Sequence, residues 1–267
     1  MLEFNDETMK RYSRHFVLQN VGVEGQKKLA QAQVFITGAG GLGSPIALYL
    51  AAAGVGRIGI IDDDVIDLSN LQRQILHTTP EVGTPKVQSA KQKLHAINPH
   101  IQIDTYQERL NAQNITKLIE SYDVIVDGTD NFGTKFLIND ACVMLNKPYS
   151  YGGILRFSGQ TMSIKPNESA CYACVFHSPP PPDSVPTCSS AGILGSVAGM
   201  LGSIQATEVL KMLLGIGEPL YNTILSFDAL SMEFRKIRVS KNPQCRVCAN
   251  GGPKILSDYE QASCWEL

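Results

Sequence analysis

The chain has almost no excess of charge of either sign. Its 267 residues include 23 Lys and Arg against 25 Asp and Glu, which gives a formal net charge of −2. Proteins that bind nucleic acid or anionic membranes through bulk electrostatics carry a basic excess, so neither is an expected partner. The N-terminal stretch MLEFNDETMKRYSRH is polar and lacks the apolar run of a signal peptide. We therefore expect a cytoplasmic protein.

The sequence also lacks an uninterrupted apolar run that could cross a bilayer. The most apolar segment, residues 191–215, is interrupted by Gln205, Glu208 and Lys211. Its unbroken part is shorter than the roughly 20 residues that a spanning helix needs. Small residues recur along this segment and would let a neighbouring element approach closely. We predict a buried, glycine-rich helix and no membrane partner.

Histidine and serine provide no recognisable catalytic pattern. The five histidines show no metal-ligand spacing, and no Ser/His/Asp constellation is apparent. Nucleophilic catalysis of the hydrolase type and a histidine metal centre are therefore not expected. We expect the histidines to be structural or surface residues.

The order of apolar segments predicts a Rossmann-like α/β fold. The predicted strands cover 33–38, 57–64, 101–107 and 123–131 (the last with its turn), and the predicted helices run to Ala53 and cover 84–98 and 114–122. This alternation is typical of an open, mostly parallel sheet. After about residue 147, the segments 149–164 and 222–239 predict longer, antiparallel strands that continue it. Residues 177–190 predict an irregular, proline-rich loop.

Four of the seven cysteines form two C-x-x-C pairs. Cys171 pairs with Cys174, and Cys245 pairs with Cys248. Two such pairs complete a tetrahedral zinc site, which is structural because no coordination position stays open. The alternative is a redox C-x-x-C of the thioredoxin type, which needs one pair and not two. We predict a four-cysteine zinc site that fixes a distant C-terminal segment to the domain.

A glycine-rich turn after the first predicted strand indicates a nucleotide site. GAGGLG matches G-x-G-x-x-G at Gly38, Gly40 and Gly43. Asp62 lies about 20 residues further on, where an acid accepts hydrogen bonds from ribose hydroxyls. Asp130 follows another strand, and ligands of such sheets lie beyond the carboxyl ends of the strands. These features fit NAD as well as ATP.

Two cations shift the balance towards ATP. In IDLSNLQRQILH, Ser69 with Gln72 forms an S-x-x-Q capping box, which predicts a short helix that begins at Asn70 and has Arg73 on its polar face. A guanidinium beside a helix N-terminus suits polyphosphate oxygens, and the alternative is a solvated turn. Lys86 lies in the first turn of the next predicted helix, after Thr84 as N-cap and Pro85 at the first helical position. A cation there opposes the helix dipole, which is more easily explained if an anion neutralises it.

Asp130, in the turn TDN, has two interpretations. It could be the N-cap of the following helix. It could instead bind Mg²⁺, which is typically held by one or two carboxylates together with phosphates. The residues alone leave both interpretations open.

Taken in order, these motifs resemble the ThiF/MoeB family of adenylyltransferases, the bacterial relatives of ubiquitin-activating enzymes. The matching stretches are RYSRH, GAGGLGSP, the acid at Asp62, LSNLQRQ, TPK, GTDN and the two C-x-x-C pairs, and they cover nearly the whole chain. The resemblance implies a homodimer that binds ATP with Mg²⁺. It implies adenylylation of the C-terminal Gly-Gly carboxylate of a small ubiquitin-like sulfur-carrier protein, with release of pyrophosphate. It further implies one domain with a nucleotide-binding half (about 1–147), a zinc- and carrier-binding half (about 148–250) and a tail (251–267).

The resemblance also implies roles for individual residues. Gly41 and its neighbours let the backbone approach the phosphates, Asp62 holds the ribose, and Asp130 organises Mg²⁺. Arg73 and Lys86, with Asn70, bind the polyphosphate and stabilise charge on the leaving pyrophosphate. Arg14, in RYSRH, resembles an arginine that family members contribute to the partner subunit's site. The expected ATP-binding set is Gly38, Gly40, Gly41, Gly43, Asp62, Ser69, Asn70, Arg73, Lys86, Asp130 and Asn131.

Three questions stay open at this point. Cys188 matches a cysteine that, in some relatives, receives the activated acyl group and that others dispense with. The segment NPQCRVCAN favours a MoaD-like carrier of molybdopterin biosynthesis, and a ThiS-like carrier of thiamine biosynthesis is the alternative. We expect the sulfur donor to be a separate cysteine desulfurase or rhodanese-type protein. An NAD-dependent oxidoreductase and a non-catalytic, zinc-stabilised scaffold are the remote alternatives, and neither would exchange pyrophosphate.

Overall fold

The computed structural model describes residues 4–181, 191–249 and 252–259 and is built on one eight-stranded sheet. The strands are β1 (Gln33–Thr37), β2 (Arg57–Ile61), β3 (Gln102–Tyr106), β4 (Val124–Asp127), β5 (Tyr149–Leu155), β6 (Ser158–Ile164), β7 (Thr223–Asp228) and β8 (Glu233–Arg238). Their order is β3-β2-β1-β4-β5-β6-β7-β8. The first five strands in this order (β3, β2, β1, β4 and β5) are parallel to one another. The remaining pairs, from β5–β6 to β7–β8, are antiparallel. The predicted fold class is confirmed.

Helices pack on both faces of this sheet. Within the described residues they are α1 (Asp6–Arg11), α2 (Ser13–Phe16), α3 (Gly22–Gln31), α4 (Gly43–Ala53), α5 (Lys86–Ile97), α6 (Ile115–Ile119), α7 (Phe132–Met144), α8 (Tyr172–Val175) and α9 (Gly195–Leu214). Two apolar cores result. The first lies between the sheet and α4, α5 and α9, and the second lies between the sheet and α6, α7 and the four paired cysteines.

Local hydrogen bonds shorten several predicted elements. Strand β2 ends at Ile61 because the next residues turn towards α5, where the Lys86 N–H donates to the Asp64 carbonyl oxygen at 3.0 Å. Helix α5 begins at Lys86 with Pro85 in the cap position, so the predictions of Thr84 as N-cap and of Pro85 as the first helical residue are both wrong by one position. Thr84 instead donates its N–H to the Glu81 carbonyl oxygen, which closes the preceding turn.

The strand order creates a crevice beside β1. The chain runs from β1 to β2 and β3 and then returns to form β4 on the other side of β1. Loops that leave the carboxyl ends of β1 and β4 therefore diverge, and ligands of open α/β sheets bind at such a switch point. Gly38 follows β1 there, and Gly128 follows β4.

Helix α9 confirms the prediction of a buried helix in the glycine-rich segment, although it begins at Gly195. Among the described helices it alone is long and apolar enough to cross a membrane, by length and composition. Half of its apolar window is buried inside the protein, and it packs against α4, β5 and β6. Gln205 and Glu208 are buried on it with hydrogen-bond partners. These features are those of a core helix.

One face of α9 packs directly against the backbone of two segments that line the crevice. A Cβ on Gly195 would overlap the Gln72 carbonyl oxygen, and a Cβ on Gly202 would overlap the Pro45 ring and lie 2.8 Å from the Leu42 carbonyl oxygen. Residues seven apart lie on one face of an α-helix. Glycine at both positions therefore lets α9 contact the start of α4 and the segment before Arg73 at once.

We predict that Gly202→Ala loosens this contact. The added methyl group has no room, so the free energy of unfolding should fall by about 1–3 kcal/mol. Gly199 on the same helix is the matched control, because a Cβ there has no atom within 4 Å. Gly199→Ala should leave stability unchanged or raise it by up to about 1 kcal/mol. Urea unfolding of both variants measures the difference, and equal effects would contradict the packing argument.

Candidate functional site

The glycine turn contains two kinds of glycine. Gly38 has φ 91° and donates its N–H to the Ile61 carbonyl oxygen at 2.8 Å, and a Cβ on Gly43 would overlap the Gly38 carbonyl oxygen. The turn itself requires these two. A Cβ on Gly40 would meet only a side-chain nitrogen at 3.7 Å, and one on Gly41 would meet only side chains at 3.4 Å or more. The fold does not require glycine at 40 and 41, so their uncovered backbone is available to a ligand.

Asp62 stands directly beside this turn, as predicted. Its Oδ2 accepts a hydrogen bond from the Ala39 N–H at 2.8 Å, and its Oδ1 accepts one from the Asp64 N–H at 3.0 Å. Burial raises the pKa of Asp62, and the nearby Lys86 ammonium opposes that shift. The carboxylate is therefore oriented by the backbone of the turn that it borders.

Lys86 is buried next to the same acids. Its Nζ donates to Asp64 Oδ2 at 2.6 Å and lies 3.8 Å from Asp62 Oδ1. The anion that offsets the unfavourable helix dipole is thus present in the chain itself, so the position of Lys86 does not by itself require a bound phosphate. The Asp64 side chain is 66% exposed, and the Lys86 side chain is 6% exposed. The acid of this pair is therefore open to solvent, whereas the lysine is covered by the protein.

The short helix predicted to begin at Asn70 is instead a 3-10 turn that ends there, so Arg73 lies after this turn and not on a helix. Leu68–Asn70 form a 3-10 turn whose N-cap is Asp67, with Asp67 Oδ1 accepting from the Ser69 N–H at 2.8 Å. The Asn70 side chain accepts from the Asp67 N–H at 3.1 Å and completes the capping box. The predicted Ser69–Gln72 box is wrong, because a carboxylate at 67 is the stronger acceptor for the free N–H groups.

Arg73 extends from this segment towards the glycine turn. Its Nη1 donates to the Ser69 carbonyl oxygen at 3.0 Å. Its Cγ would lie 3.5 Å from a Cβ on Gly41. The structure therefore places the Arg73 side chain against the open glycine backbone, on the same side of the sheet as the Asp62–Lys86 pair, with the guanidinium resting on a backbone carbonyl.

The structure gives the capping role considered for Asp130 to its neighbour, Asn131. Asn131 is the N-cap of α7, and its Oδ1 accepts from the Thr134 N–H at 2.8 Å. The interpretation of Asp130 as that cap is therefore wrong. Asp130 is exposed, and no described residue forms a hydrogen bond or ion pair with its carboxylate. That carboxylate is free to bind a cation.

The sequence did not predict a buried ion pair between Asp127 and Lys135, which flank Asp130 in the chain. Lys135 Nζ donates to Asp127 Oδ2 at 2.9 Å, and both side chains are almost fully buried. From the opposite face of the sheet, Gln205 Nε2 donates to the Asp127 carbonyl oxygen at 2.9 Å. The available signal was an acid that closes the apolar strand VIVD with a lysine inside the following apolar helix. Only the fold shows that the two meet.

His77 forms a hydrogen bond with the backbone of the glycine turn. Its Nε2 lies 3.0 Å from the Ala39 carbonyl oxygen, and its Nδ1 lies 2.8 Å from Ser89 Oγ. A carbonyl oxygen can only accept, so Nε2 carries the proton and Nδ1 accepts from the serine hydroxyl. Burial lowers the pKa of His77 and favours this neutral form. Its role here is structural, as predicted for the histidines.

The four paired cysteines form one buried cluster in the second core. The Sγ atoms of Cys171 and Cys174 lie 3.8 Å apart, those of Cys171 and Cys245 lie 3.6 Å apart, and those of Cys174 and Cys248 lie 3.4 Å apart. Tetrahedral zinc with bonds of about 2.3 Å separates its sulfurs by roughly 3.8 Å. Burial raises the pKa of the Cys248 thiol to about 12. The donor set and spacing therefore fit a metal ion that would displace the thiol protons.

Arg14 is not brought to the nucleotide crevice of its own chain. Arg14 lies on α2, and the neighbouring Tyr12 packs against Gly54 at the far end of α4 from the glycine turn. The two ends of α4 are about 16 Å apart, because the helix has 11 residues. Arg14 therefore lies near the amino ends of the parallel strands, and the glycine turn lies at their carboxyl ends. Cys188 lies outside the described residues.

Comparison with known proteins finds one family and several named relatives. Residues 12–247 match the ThiF family. The chain is 44% identical over 265 residues to a Thermus thermophilus protein named sulfur carrier protein adenylyltransferase, with 97% of this chain and 98% of that protein covered. It is 46% identical over 261 residues to a Mycobacterium tuberculosis protein named probable adenylyltransferase/sulfurtransferase MoeZ, with 96% of this chain and 65% of MoeZ covered.

Among solved structures, the fold is similar to that of E. coli MccB. The structure of MccB with MccA-N7isoASN gives a TM-score of 0.81 at 26% identity, over 92% of this chain and 76% of that chain. The structure of MccB with ATP gives a TM-score of 0.78 at 26% identity, over 92% of this chain and 75% of that chain.

We predict that neutral His77 makes stability depend on pH. The folded pKa lies below the usual value of about 6.5, so the unfolded chain takes up the proton first. This contribution is complete above about pH 6.5 and is lost as the pH falls from there towards the folded-state pKa. The free energy of unfolding should therefore drop more between about pH 7.5 and 5.5 in the wild type than in His77→Gln, which keeps a donor but does not titrate. Urea unfolding at both pH values tests this, and equal drops would contradict it.

Proposed function

The chain belongs to the ThiF family, and from that premise we propose that it adenylylates the C-terminal carboxylate of a small ubiquitin-like sulfur-carrier protein. One observation carries the proposal. The open backbone at Gly40 and Gly41 faces Arg73 and adjoins the Asp62–Lys86 pair. An uncovered glycine backbone beside two cations suits a nucleotide polyphosphate. The adenylyltransferase names of the relatives support the same chemistry.

ATP would be held by groups already at the carboxyl edge. Asp62 would accept hydrogen bonds from the ribose, and the backbone at Gly40 and Gly41 would approach the phosphates. Arg73 and Asn70 would bind the polyphosphate. Lys86 would move from Asp64 to a phosphate oxygen, which a 2.6 Å contact to a mostly exposed carboxylate allows. Asp130, with its free carboxylate, would hold Mg²⁺, which neutralises phosphate charge when bound.

The reaction needs positioning and charge neutralisation. A carboxylate oxygen of the carrier forms a bond to the α-phosphorus, and the bond from that phosphorus to the bridging oxygen breaks as pyrophosphate leaves. The carboxylate is already nucleophilic, so the reaction requires no general base. Arg73 and Lys86 would stabilise the charge that develops on the leaving pyrophosphate.

An apolar strip beside the site suits a carrier protein. The β5–β6 and β7–β8 hairpins turn at the carboxyl edge, and the Ala229 N–H joins them through the Phe157 carbonyl oxygen at 2.9 Å. Exposed apolar side chains on this edge are Phe157, Leu194, Leu230 and Met232. A carrier docked there could extend its Gly-Gly tail to the α-phosphate. We propose a MoaD-like carrier, with a ThiS-like carrier as the alternative, and a separate protein as sulfur donor.

A homodimer would complete the site. Arg14 lies on α2, near the end of α4 that is remote from the nucleotide crevice of its own chain, which favours a role in the site of another chain. Val17 and Leu18 beside it are exposed and apolar, as an interface requires. We propose that Arg14 enters the partner subunit's site. For Cys188 we propose a role after adenylylation, in transfer of the activated carrier or of sulfur.

We propose that the four-cysteine cluster binds zinc in a structural role. All four thiols are buried, and the tetrahedral set leaves no open position for a substrate. Zinc would join the α8 segment to the C-terminal C-x-x-C. The cluster lies in the second core, away from the glycine turn, so it would support the fold without taking part in the reaction.

We predict that Arg73→Ala and Lys86→Ala each reduce carrier-dependent ATP–pyrophosphate exchange by roughly 100-fold or more, because each removes charge stabilisation from the leaving group. Exchange should be measured with MoaD-like and ThiS-like carriers added in turn, so that one assay tests the chemistry and the carrier. NAD⁺ should not compete with ATP.

Lys93→Ala is the matched control for this experiment. Lys93 lies on the same helix as Lys86 but pairs with Glu81 at 2.8 Å. Its loss should leave exchange near the wild-type rate. Wild-type exchange in both site variants would disprove the site, and NADH binding without exchange would favour the oxidoreductase alternative.

A second prediction concerns zinc. The purified protein should contain about one zinc per chain, and Cys245→Ser should lose zinc and melt at a lower temperature because structural zinc contributes to folding free energy. Cys142→Ala is the control, since Cys142 is buried but lies outside the cluster. Metal analysis and thermal unfolding provide both readouts. Absence of zinc from the wild type would refute the proposal.

A further inference from the structure

A buried lysine, Lys135, forms hydrogen bonds at the carboxyl end of β4, just before Asp130 in the chain. Lys135 is 5% exposed, and its Nζ makes three hydrogen bonds at one point. It donates to Asp127 Oδ2 at 2.9 Å, to the Thr129 carbonyl oxygen at 2.8 Å and to the Gly152 carbonyl oxygen at 2.6 Å. An ammonium group has three donors, so this lysine is fully engaged within the protein and is not free to bind a ligand.

Every residue between β4 and Asp130 is fixed by a hydrogen bond. The Asp127 carbonyl oxygen accepts from Gln205, and the Gly128 N–H donates to the Thr37 carbonyl oxygen at 2.9 Å. The Thr129 N–H and hydroxyl both donate to Asp127 Oδ1, at 3.0 and 2.7 Å. Lys135 holds the Thr129 carbonyl oxygen, which is the last fixed atom before Asp130.

The same contacts set the distance between Asp130 and the glycine turn. A Cβ on Gly38 would lie 3.1 Å from the Gly128 carbonyl oxygen, and a Cβ on Gly128 would lie 3.2 Å from the Gly43 nitrogen. The two loops of the crevice therefore meet at Gly128. If the carbonyl oxygen of Thr129 were released, the exposed Asp130 could move relative to the phosphates that the turn would hold.

We propose that Lys135 is a positioning residue that holds Asp130 where its carboxylate meets the nucleotide-bound Mg²⁺. This role rests on the proposed function, because it assumes that ATP and Mg²⁺ bind at this crevice. Lys135 acts through the Asp127 side chain and the Thr129 backbone and touches neither nucleotide nor metal. Groups that orient a metal ligand from behind typically change metal affinity or activity by roughly 10- to 100-fold when they are removed.

The test variants separate positioning from folding. Lys135→Met leaves the Asp127 carboxylate buried without a partner, which can itself unfold a protein. Asp127→Asn with Lys135→Met removes both charges together. It keeps a side-chain oxygen for Thr129 but no donor for the carbonyl oxygens of Thr129 and Gly152. The double variant therefore preserves the fold better and still releases the Asp130 loop.

Lys211→Met is the matched control. Lys211 is less buried than Lys135 but is likewise paired: it contacts Glu208 and donates to the Glu218 carbonyl oxygen at 2.8 Å. It lies near the C-terminal end of α9, at the opposite edge of the sheet from the crevice. Its removal should lower the melting temperature without changing the response to Mg²⁺.

The readout is binding of a non-hydrolysable ATP analogue, measured by calorimetry over a range of Mg²⁺ concentrations. In the double variant the half-saturating Mg²⁺ concentration should rise roughly 10- to 100-fold. Affinity for the analogue without Mg²⁺ should stay within about twofold, because Asp62 and the glycine turn are intact. The control should match the wild type in both quantities.

The outcomes distinguish this role from the proposed function. A double variant that folds and shows the wild-type Mg²⁺ response would overturn the positioning role while leaving ATP binding in place. A Mg²⁺ response that shifts equally in Lys211→Met would also overturn it, since the effect would then follow from lost stability. A wild-type chain whose nucleotide affinity ignores Mg²⁺ would instead disprove the metal role of Asp130 itself.

Discussion

Close contact between helix α9 and the crevice is the constraint on which the rest of the site depends. Gly195 lies against the Gln72 backbone, and Gly202 lies against the start of α4. Gln205, one turn further along α9, reaches the end of β4. A single rigid helix thus sets the relative positions of three segments that are far apart in sequence. Because these contacts involve backbone, a larger residue would move a whole segment, including the site residues on it.

Charge inside the crevice is balanced before any ligand arrives. Lys86 is paired with Asp64 and Lys135 with Asp127, and both lysines are buried. Unpaired buried ammonium groups would be costly, so the fold supplies an acid for each. The two pairs differ in exposure. The Asp127 side chain is 1% exposed and shielded from solvent, whereas the Asp64 side chain is 66% exposed and open to competition from a ligand. One pair therefore supports structure, and the other is suited to exchange.

Short-range patterns predicted the elements and the cysteine cluster, because strand alternation and C-x-x-C spacing are local properties. The proximity of the glycine turn and Asp62 was also predictable, since both follow the ends of apolar strands. Caps were less predictable. Asp67 displaced Ser69, and Asn131 took the place considered for Asp130, because neighbouring polar side chains compete for the same free N–H groups. The Lys135–Asp127 pair and Gln205 depend on which strands become neighbours, which no local pattern encodes.

Helix α7 connects the crevice to the cysteine cluster. Asn131 caps its start beside Asp130, and Lys135 on its first turn holds the end of β4. One turn later, Asn139 accepts from the Tyr172 N–H at 2.8 Å, immediately after the first paired cysteine. A metal bound to the cysteines would fix the α8 segment and, through Asn139, the middle of α7. Because an α-helix transmits position along its length, a metal bound to this cluster would also affect how firmly Asp130 is held, although the cluster lies in the second core.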